Sequence, residues 1–438
     1  MAIMSNSNTQ TEPVGASRHP LLPMQNILPF VLVTALFFLW GIPNNLNDVL
    51  IRQFMKSFEL TRFKAGLVQS AFYMGYFLLS MPAALVMRRF SYKAGLVTGL
   101  MLYSVGTLLF WPAAVIGKFA FFLCALFVIA SGLAFLETGA NPFIAQLGDP
   151  ASSERRLNFS QAFNPLGAIT GALVGTVFIF SGVELKGNEV QALKLAGVYQ
   201  DYLQHETMRV ITPYLVLGCV TLAWALMIAR TRFPAIGAER SAGGEKGSLR
   251  ELLRYRHFLI AVIAMFFYNG AQVGTWSYFI QYVQDYTHQP EKLAGYFLSG
   301  TLVAFGLGRF SATYLMQFVR PNVLMGAYAL TNILLVGVGV AYPGWIGLWS
   351  IFLTSFFMSL MFPTIFALGL KELGPNTKLG GSMIVMGIVG GAVFTPIMGL
   401  IASHSMARAM LVPLCCYVFI AYFAFEGSKV RALHPRTA

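Results

Sequence analysis

Two carboxylic acids stand inside long apolar runs: Asp48 in Trp40-Gly-Ile-Pro-Asn-Asn-Leu-Asn-Asp48, and Glu137 in Leu133-Ala-Phe-Leu-Glu-Thr-Gly-Ala-Asn141. In a bilayer-spanning segment such an acid costs at least about 2.5–3.5 kcal/mol on insertion scales, and it persists mainly where it faces a polar interior. A carboxyl there can bind and release a proton, and it can hold a hydroxyl. The neighbours suit both tasks. Trp40, Asn44 and Asp48 fall at i, i+4 and i+8, with Asn45 three before Asp48, so one helix face is polar. Glu137 and Asn141 share a face four residues apart. Asn158, Gln161 and Asn164 recur every three residues, and Asn269, Gln272 and Trp276 line up in a later run. Amides and carboxylates each exchange hydrogen bonds with hydroxyls, and an indole face packs on C–H surface. Together these groups suit a neutral polyol. Any single amide also serves to knit helices together, at about 0.6 kcal/mol per bond, but four segments carrying such groups fit a shared cavity better. Gln69, Tyr73 and Tyr76 add weaker polar candidates.

The elements that position these residues must be membrane helices. Of 438 residues 56% are hydrophobic and only 11% are charged, against about 25% charged in a soluble domain. Runs near 27–50, 63–87, 94–116, 119–147, 157–182, 212–230, 258–284, 293–318, 322–342, 345–370, 379–402 and 407–425 are each long enough to cross a bilayer. The expected fold class is therefore an all-α membrane protein of twelve transmembrane helices in two six-helix halves. The expected division is a cytoplasmic tail at 1–26, halves at 27–230 and 258–425 joined by a linker at 231–257, and a second tail at 426–438. The first residues show no signal-peptide pattern.

The net charge of +13 reads as topology. With the N-terminus in the cytoplasm, nineteen of the 30 Lys and Arg residues fall on that side and ten on the other, leaving Arg309 inside a span. This bias places both termini and the linker in the cytoplasm and removes the nucleic-acid reading. Ser248 and Glu251 form a capping box, predicting a short amphipathic helix in the linker. The 183–211 connection should lie outside. The halves also echo each other: Ala65-Gly66 corresponds to Ala294-Gly295 at a constant spacing, and Asn141-Pro142-Phe143 stands where the second half has Phe362-Pro363-Thr364.

Other chemistries find no support. There is no phosphate-binding Gly-rich loop with Lys, no metal-ligand cluster and no catalytic constellation, so neither a cofactor nor an enzyme is expected. Cys124, Cys219, Cys415 and Cys416 read as small buried hydrophobes. Arg309 reads as an anchor bonding to backbone carbonyls. Gly387-x-x-x-Gly391 followed by Thr395-Pro396 makes the eleventh span close-packing and bendable.

At Phe37-Phe-Leu-Trp-Gly-Ile-Pro-Asn-Asn-Leu-Asn-Asp48 the chain resembles the bacterial fucose–galactose–glucose:proton symporter family of the major facilitator superfamily. Similar matches are Gln69-Ser-Ala-Phe-Tyr73, Ser91-Tyr-Lys-Ala-Gly95, Leu136-Glu-Thr-Gly-Ala-Asn-Pro-Phe143, Gly270-Ala-Gln272, Trp276-Ser-Tyr278, Gly308-Arg-Phe310, Pro363-Thr-Ile-Phe366 and Thr395-Pro-Ile-Met-Gly399. The resemblance implies proton-coupled uptake of a neutral hexose or deoxyhexose across the bacterial inner membrane, by a chain functional as a monomer in the lipid bilayer. L-fucose is foremost; D-galactose, D-glucose and N-acetylglucosamine are the alternatives. It implies a sugar-cavity carboxylate at Asp48 and a deeper proton-binding carboxylate at Glu137. Expected sugar contacts are Trp40, Asn44, Asn45, Asp48, Asn141, Gln161, Asn164, Asn269, Gln272, Trp276 and Phe362. Two departures bear on the sugar. Phe362 stands where the family's fucose carriers have Tyr, and Asn269 where they have an apolar residue. A proton-coupled exporter and a non-transporting sugar sensor are the rival readings.

Overall fold

The computed structural model describes residues 26–148, 156, 159–234, 249–316, 318–373 and 376–429. Among the described residues twelve helices are long and apolar enough to span a bilayer: α1 (Ile27–Ser57), α2 (Arg62–Met87), α3 (Tyr92–Ile116), α4 (Phe119–Ile144), α5 (Phe159–Ile179), α6 (Tyr199–Arg230), α7 (Arg256–Thr287), α8 (Glu291–Leu315), α9 (Pro321–Ala341), α10 (Trp345–Leu370), α11 (Gly380–Ala402) and α12 (Met406–Gly427). No strand occurs among the described residues. Leu85, Trp111, Leu307 and Leu334 lie exposed on the outer surface, as side chains facing hydrocarbon must. We call the end holding Asn26 and the α2–α3 turn the terminus side, and the opposite end the far side.

Three prolines interrupt the helix ladders at carbonyls that find a donor from another helix. A proline cannot bond the carbonyl four residues back, and inside a bilayer that carbonyl must be satisfied. Pro43 frees Leu39 O, which takes the Tyr103 hydroxyl at 3.0 Å. Pro363 frees Ser359 O, where α10 breaks at Ser359–Leu360; Arg309 Nε and one terminal nitrogen reach it at 3.4 Å. This is the anchoring role expected of Arg309, whose guanidinium also stands 4.9 Å from the Phe305 ring centroid. Pro396 frees Ala392 O, which takes the Ser70 hydroxyl at 2.7 Å. That bond crosses from the first six helices to the last six.

Small residues bring α1 and α5 together. A Cβ on Gly167 would lie 2.1 Å from Phe38 O, and one on Gly41 2.5 Å from Asn164 O. Only glycine permits that approach, and it sets Asn164 against the α1 backbone.

Two expectations need correction, the start of the sixth span and the burial of the cysteines. The sixth span begins not near 212 but at Tyr199, because Tyr199–Met208 is a helix that leads into the rest of α6, and within the connection before it Gly187–Leu195 is also helical. Hydropathy hid Tyr199–Met208 because Asp201, His205 and Glu206 lie on it. The short helix expected in the linker is present as one turn, Leu249–Leu252; Ser248 lies outside the described residues. Of the cysteines only Cys416 is buried; Cys124, Cys219 and Cys415 are exposed. An apolar run has a lipid-facing side as well as a packed one, so apolarity alone did not mean burial.

Candidate functional site

Asp48 is 2% exposed and sits nine residues before the end of α1, about 14 Å from the far side at 1.5 Å per residue. Its carboxylate collects three donors. Asn45 Nδ2 donates to Oδ2 at 3.2 Å. Gln69 Nε2, from α2, donates to Oδ1 at 2.9 Å. The Ser277 hydroxyl, from α7, donates to the same Oδ1 at 2.9 Å. Gln69 Nε2 also donates to Ser277 Oγ at 2.9 Å, closing a triangle. Among the described residues Asp48 has no ion-pair partner. Asp48 and Ser277 are separated by 229 positions, the spacing that relates Ala65 to Ala294. The acid therefore meets its own counterpart in the other half.

Glu137 lies in different surroundings. It is half-buried, and no described side chain bonds its carboxyl. Eighteen residues separate it from the start of α4 at Phe119, so it lies about 27 Å from the far side and about 13 Å closer to the terminus side than Asp48. Asn141 Nδ2 donates to the Glu137 carbonyl at 3.1 Å, and Gln161 Nε2 donates to Asn141 Oδ1 at 3.2 Å. Asn164 Nδ2 reaches Phe37 O at 3.3 Å. The Trp40 ring packs on Phe37 with centroids 4.3 Å apart. Tyr73 lies within electrostatic reach of both acids and stacks on Tyr76 at 6.0 Å.

The facing wall comes from α7, α8 and α10. Trp276 Nε1 donates to Ser355 Oγ at 3.0 Å, which also pairs with Thr301 Oγ1 at 2.7 Å. The indole meets Phe305 edge-on at 5.1 Å. Phe362 is half-buried, 6.1 Å from the Tyr268 ring. Gln272 is half-buried, whereas Asn269 is buried and donates to Met265 O of its own helix at 3.0 Å.

The structure thus gathers Trp40, Asn44, Asn45 and Asp48 on one face of α1, with Glu137, Asn141, Gln161 and Asn164 on the adjoining wall. Asn269 is turned to its own backbone. Asn158 lies outside the described residues. Ser277 was not singled out from the sequence, because a hydroxyl in a span carries little cost and hence little signal. The 229-residue spacing was the clue available.

The two sides of this site differ in closure. Between described residues of the first six and last six helices, hydrogen bonds and ion pairs run from Gln69–Ser277 and Ser70–Ala392 outward to the far side. There Lys56 Nζ stands 3.3 Å from Glu291 of the other half and 3.2 Å from Glu206 of its own. Arg62 pairs with Asp285 at 2.5 Å and reaches Ala402 O at 2.6 Å. Glu184 accepts from Gln284 at 2.8 Å and from the Glu291 backbone. The far side is shut, and exposure of the site residues rises from Asp48 toward Glu137, Asn141 and Gln161.

This architecture has known relatives. The Major Facilitator Superfamily profile matches residues 30–378. The chain belongs to the major facilitator superfamily. Within it, the chain is 42% identical over 429 residues to the L-fucose-proton symporter of Escherichia coli, covering 96% of this chain and 98% of that protein. It is 34% identical over 404 residues to a glucose/galactose transporter of Brucella abortus, covering 91% and 93%. A crystal structure of the superfamily transporter FucP, described as in the outward conformation, superposes with a TM-score of 0.71 at 42% identity, covering 93% of this chain and 100% of that one.

Proposed function

We propose that the chain takes up a neutral hexose or deoxyhexose together with a proton, with L-fucose as the foremost substrate. The observation that carries this is the pair of acids, Asp48 and Glu137, at different depths on a polar face between two six-helix groups. The near full-length likeness to an L-fucose-proton symporter supports it. The halves at 27–230 and 258–425 rock about that site, with the linker at 231–257 between them. The protein works as a monomer in the bacterial inner membrane with both termini in the cytoplasm, so the terminus side is the cytoplasmic one.

With the far side open, a carboxylate takes a proton and the sugar binds to the amides and indoles of the two walls. The neutral acids let the halves close without burying a bare charge. Sugar and proton then leave on the terminus side, and the empty carrier returns. One proton crossing about 100 mV gains roughly 2.3 kcal/mol, and one pH unit adds about 1.4. Their sum supports sugar accumulation of several hundred-fold.

A second sugar reading has its own support. Phe362 brings no hydroxyl to α10, and relatives with the name glucose/galactose transporter match almost as much of the chain. Sugar-induced alkalinisation of the medium around expressing cells tests symport; acidification would point to export, and no change to a sensor. Uptake of labelled L-fucose, D-galactose, D-glucose and N-acetylglucosamine, competed pairwise, sets the sugar. Reporter fusions at Ser241 and Asn188 should lie on opposite sides of the membrane; a shared side would overturn the twelve-span orientation.

A further inference from the structure

We infer that Ser277 is a positioning residue that completes closure of the far side over Asp48. This rests on the proposed proton-coupled uptake. Three polar atoms, Asp48 Oδ1, Gln69 Nε2 and Ser277 Oγ, stand at mutual distances of 2.9 Å. Two amide hydrogens and one hydroxyl hydrogen fill the three edges, so the triangle is complete. Asn45 and Gln69 come from the first six helices and can follow Asp48 through any movement of that half. Ser277 alone comes from the other half. It is 1% exposed and lies under the Lys56 and Arg62 ion pairs. When the far side opens, α7 draws away from α1 and α2, and water takes the place of the hydroxyl.

The triangle also accommodates a protonated acid. The proton sits on Oδ2, and the Asn45 amide turns so that its oxygen accepts it. Nitrogen and oxygen of an amide occupy equivalent space, so the turn disturbs nothing at Oδ1. Closure over the neutral acid then keeps all three edges and buries no bare charge. Without the Ser277 hydroxyl, closure strips water from Oδ1 and supplies nothing from α7. The loss falls on the closed state alone, because in the open state water serves Asp48 either way.

The test uses Ser277→Ala and Ser277→Thr in the full chain, with spin labels at Leu195 and His404 on the exposed far side and Cys124, Cys219 and Cys415 replaced by Ala. Pulsed-EPR distances should show the far-side-open fraction of Ser277→Ala raised roughly tenfold over the unsubstituted chain. In transport, kcat should fall several-fold, and KM for sugar presented at the far side should fall with it, because more of the carrier stands open to that side. Ser277→Thr keeps the hydroxyl and should return both readings toward the original. A Ser277→Ala protein with an unchanged distance distribution, or with unchanged kcat, overturns the inference. If the unsubstituted chain moves no sugar with protons, the proposed function fails, and the distances still judge the clasp.

Discussion

Asp48 and Glu137 are both buried acids by sequence, yet their surroundings differ in kind. Asp48 is buried, lies nearer the far side, and is held by three donors, one of which comes from the opposite half. Glu137 is half-buried, lies nearer the terminus side, and has no side-chain partner among the described residues. The same residue class is thus placed at a closed seam in one case and on an accessible wall in the other. In a carrier that alternates between two openings, one acid faces the sealed end while the other faces the open one. The difference assigns separate work to the two. Under the proposed symport, Asp48 is the acid that senses whether the halves are joined above it, and Glu137 the one that exchanges its proton with the open side.

The sharpest break of that comparison is Glu137→Gln. The amide mimics a permanently protonated acid, so sugar can bind and exchange while the proton cannot leave. In reconstituted vesicles, counterflow of labelled for unlabelled sugar should continue. Proton-driven accumulation should fall from several hundred-fold to none. Accumulation at the original level would remove Glu137 from coupling.

Asp48→Ala should do something Glu137→Gln does not. It deletes the acceptor shared by Asn45, Gln69 and Ser277, leaving buried donors without a partner, at roughly 1–3 kcal/mol. Sugar affinity should weaken about tenfold or more, because Asp48 stands on one face with Trp40 and Asn44, and the protein should also melt at a lower temperature. Binding by calorimetry and a thermal scan check both. Normal affinity with a lowered melting temperature would leave Asp48 as a seam residue that never meets the sugar.

Much of this contrast could be read in the sequence, and some of it could not. Acids inside apolar runs are conspicuous because insertion makes them costly, and amide periodicity pointed to the faces that adjoin them. The prolines marked the bends at Pro43, Pro363 and Pro396. The donors that satisfy the freed carbonyls, Tyr103, Arg309 and Ser70, come from other helices, and no local pattern names them. The same holds for Ser277, whose partner lies 229 residues away. Glu206 misled in the opposite sense. It made Tyr199–Met208 look like a loop, although its carboxylate is 3% exposed and paired with Lys56. Polar residues that are satisfied only in the folded state lower hydropathy without breaking a helix.

Phe362 refines the comparison on the facing wall. It is half-buried beside Tyr268, whose own hydroxyl is buried without a partner. Phe362→Tyr adds one hydroxyl at the position where the fucose carriers of the family have it. A preference shift toward L-fucose of roughly tenfold is expected, within the 1–3 kcal/mol that one hydrogen bond supplies. An unchanged competition profile would place Phe362 outside the sugar's reach.

The smallest effect should come from Arg62, at the outermost layer of the seam above Asp48. Its pair with Asp285 is 2.5 Å long, but the two side chains are 23% and 31% exposed. Exposed ion pairs are worth about 0–1 kcal/mol, and Arg62 also donates to Ala402 O. Lys56, by contrast, reaches across the seam to Glu291, whose side chain is 0% exposed, so this buried pair contributes more to closure than the exposed one at Arg62. Arg62→Ala should therefore raise the far-side-open fraction by less than about fivefold, and higher salt should shrink even that difference by screening the pair in the unsubstituted chain. The same pulsed-EPR distances at two ionic strengths measure it. A shift as large as that from Ser277→Ala would mean that the seam is held at its rim, and the buried clasp at Asp48 would then follow closure instead of completing it.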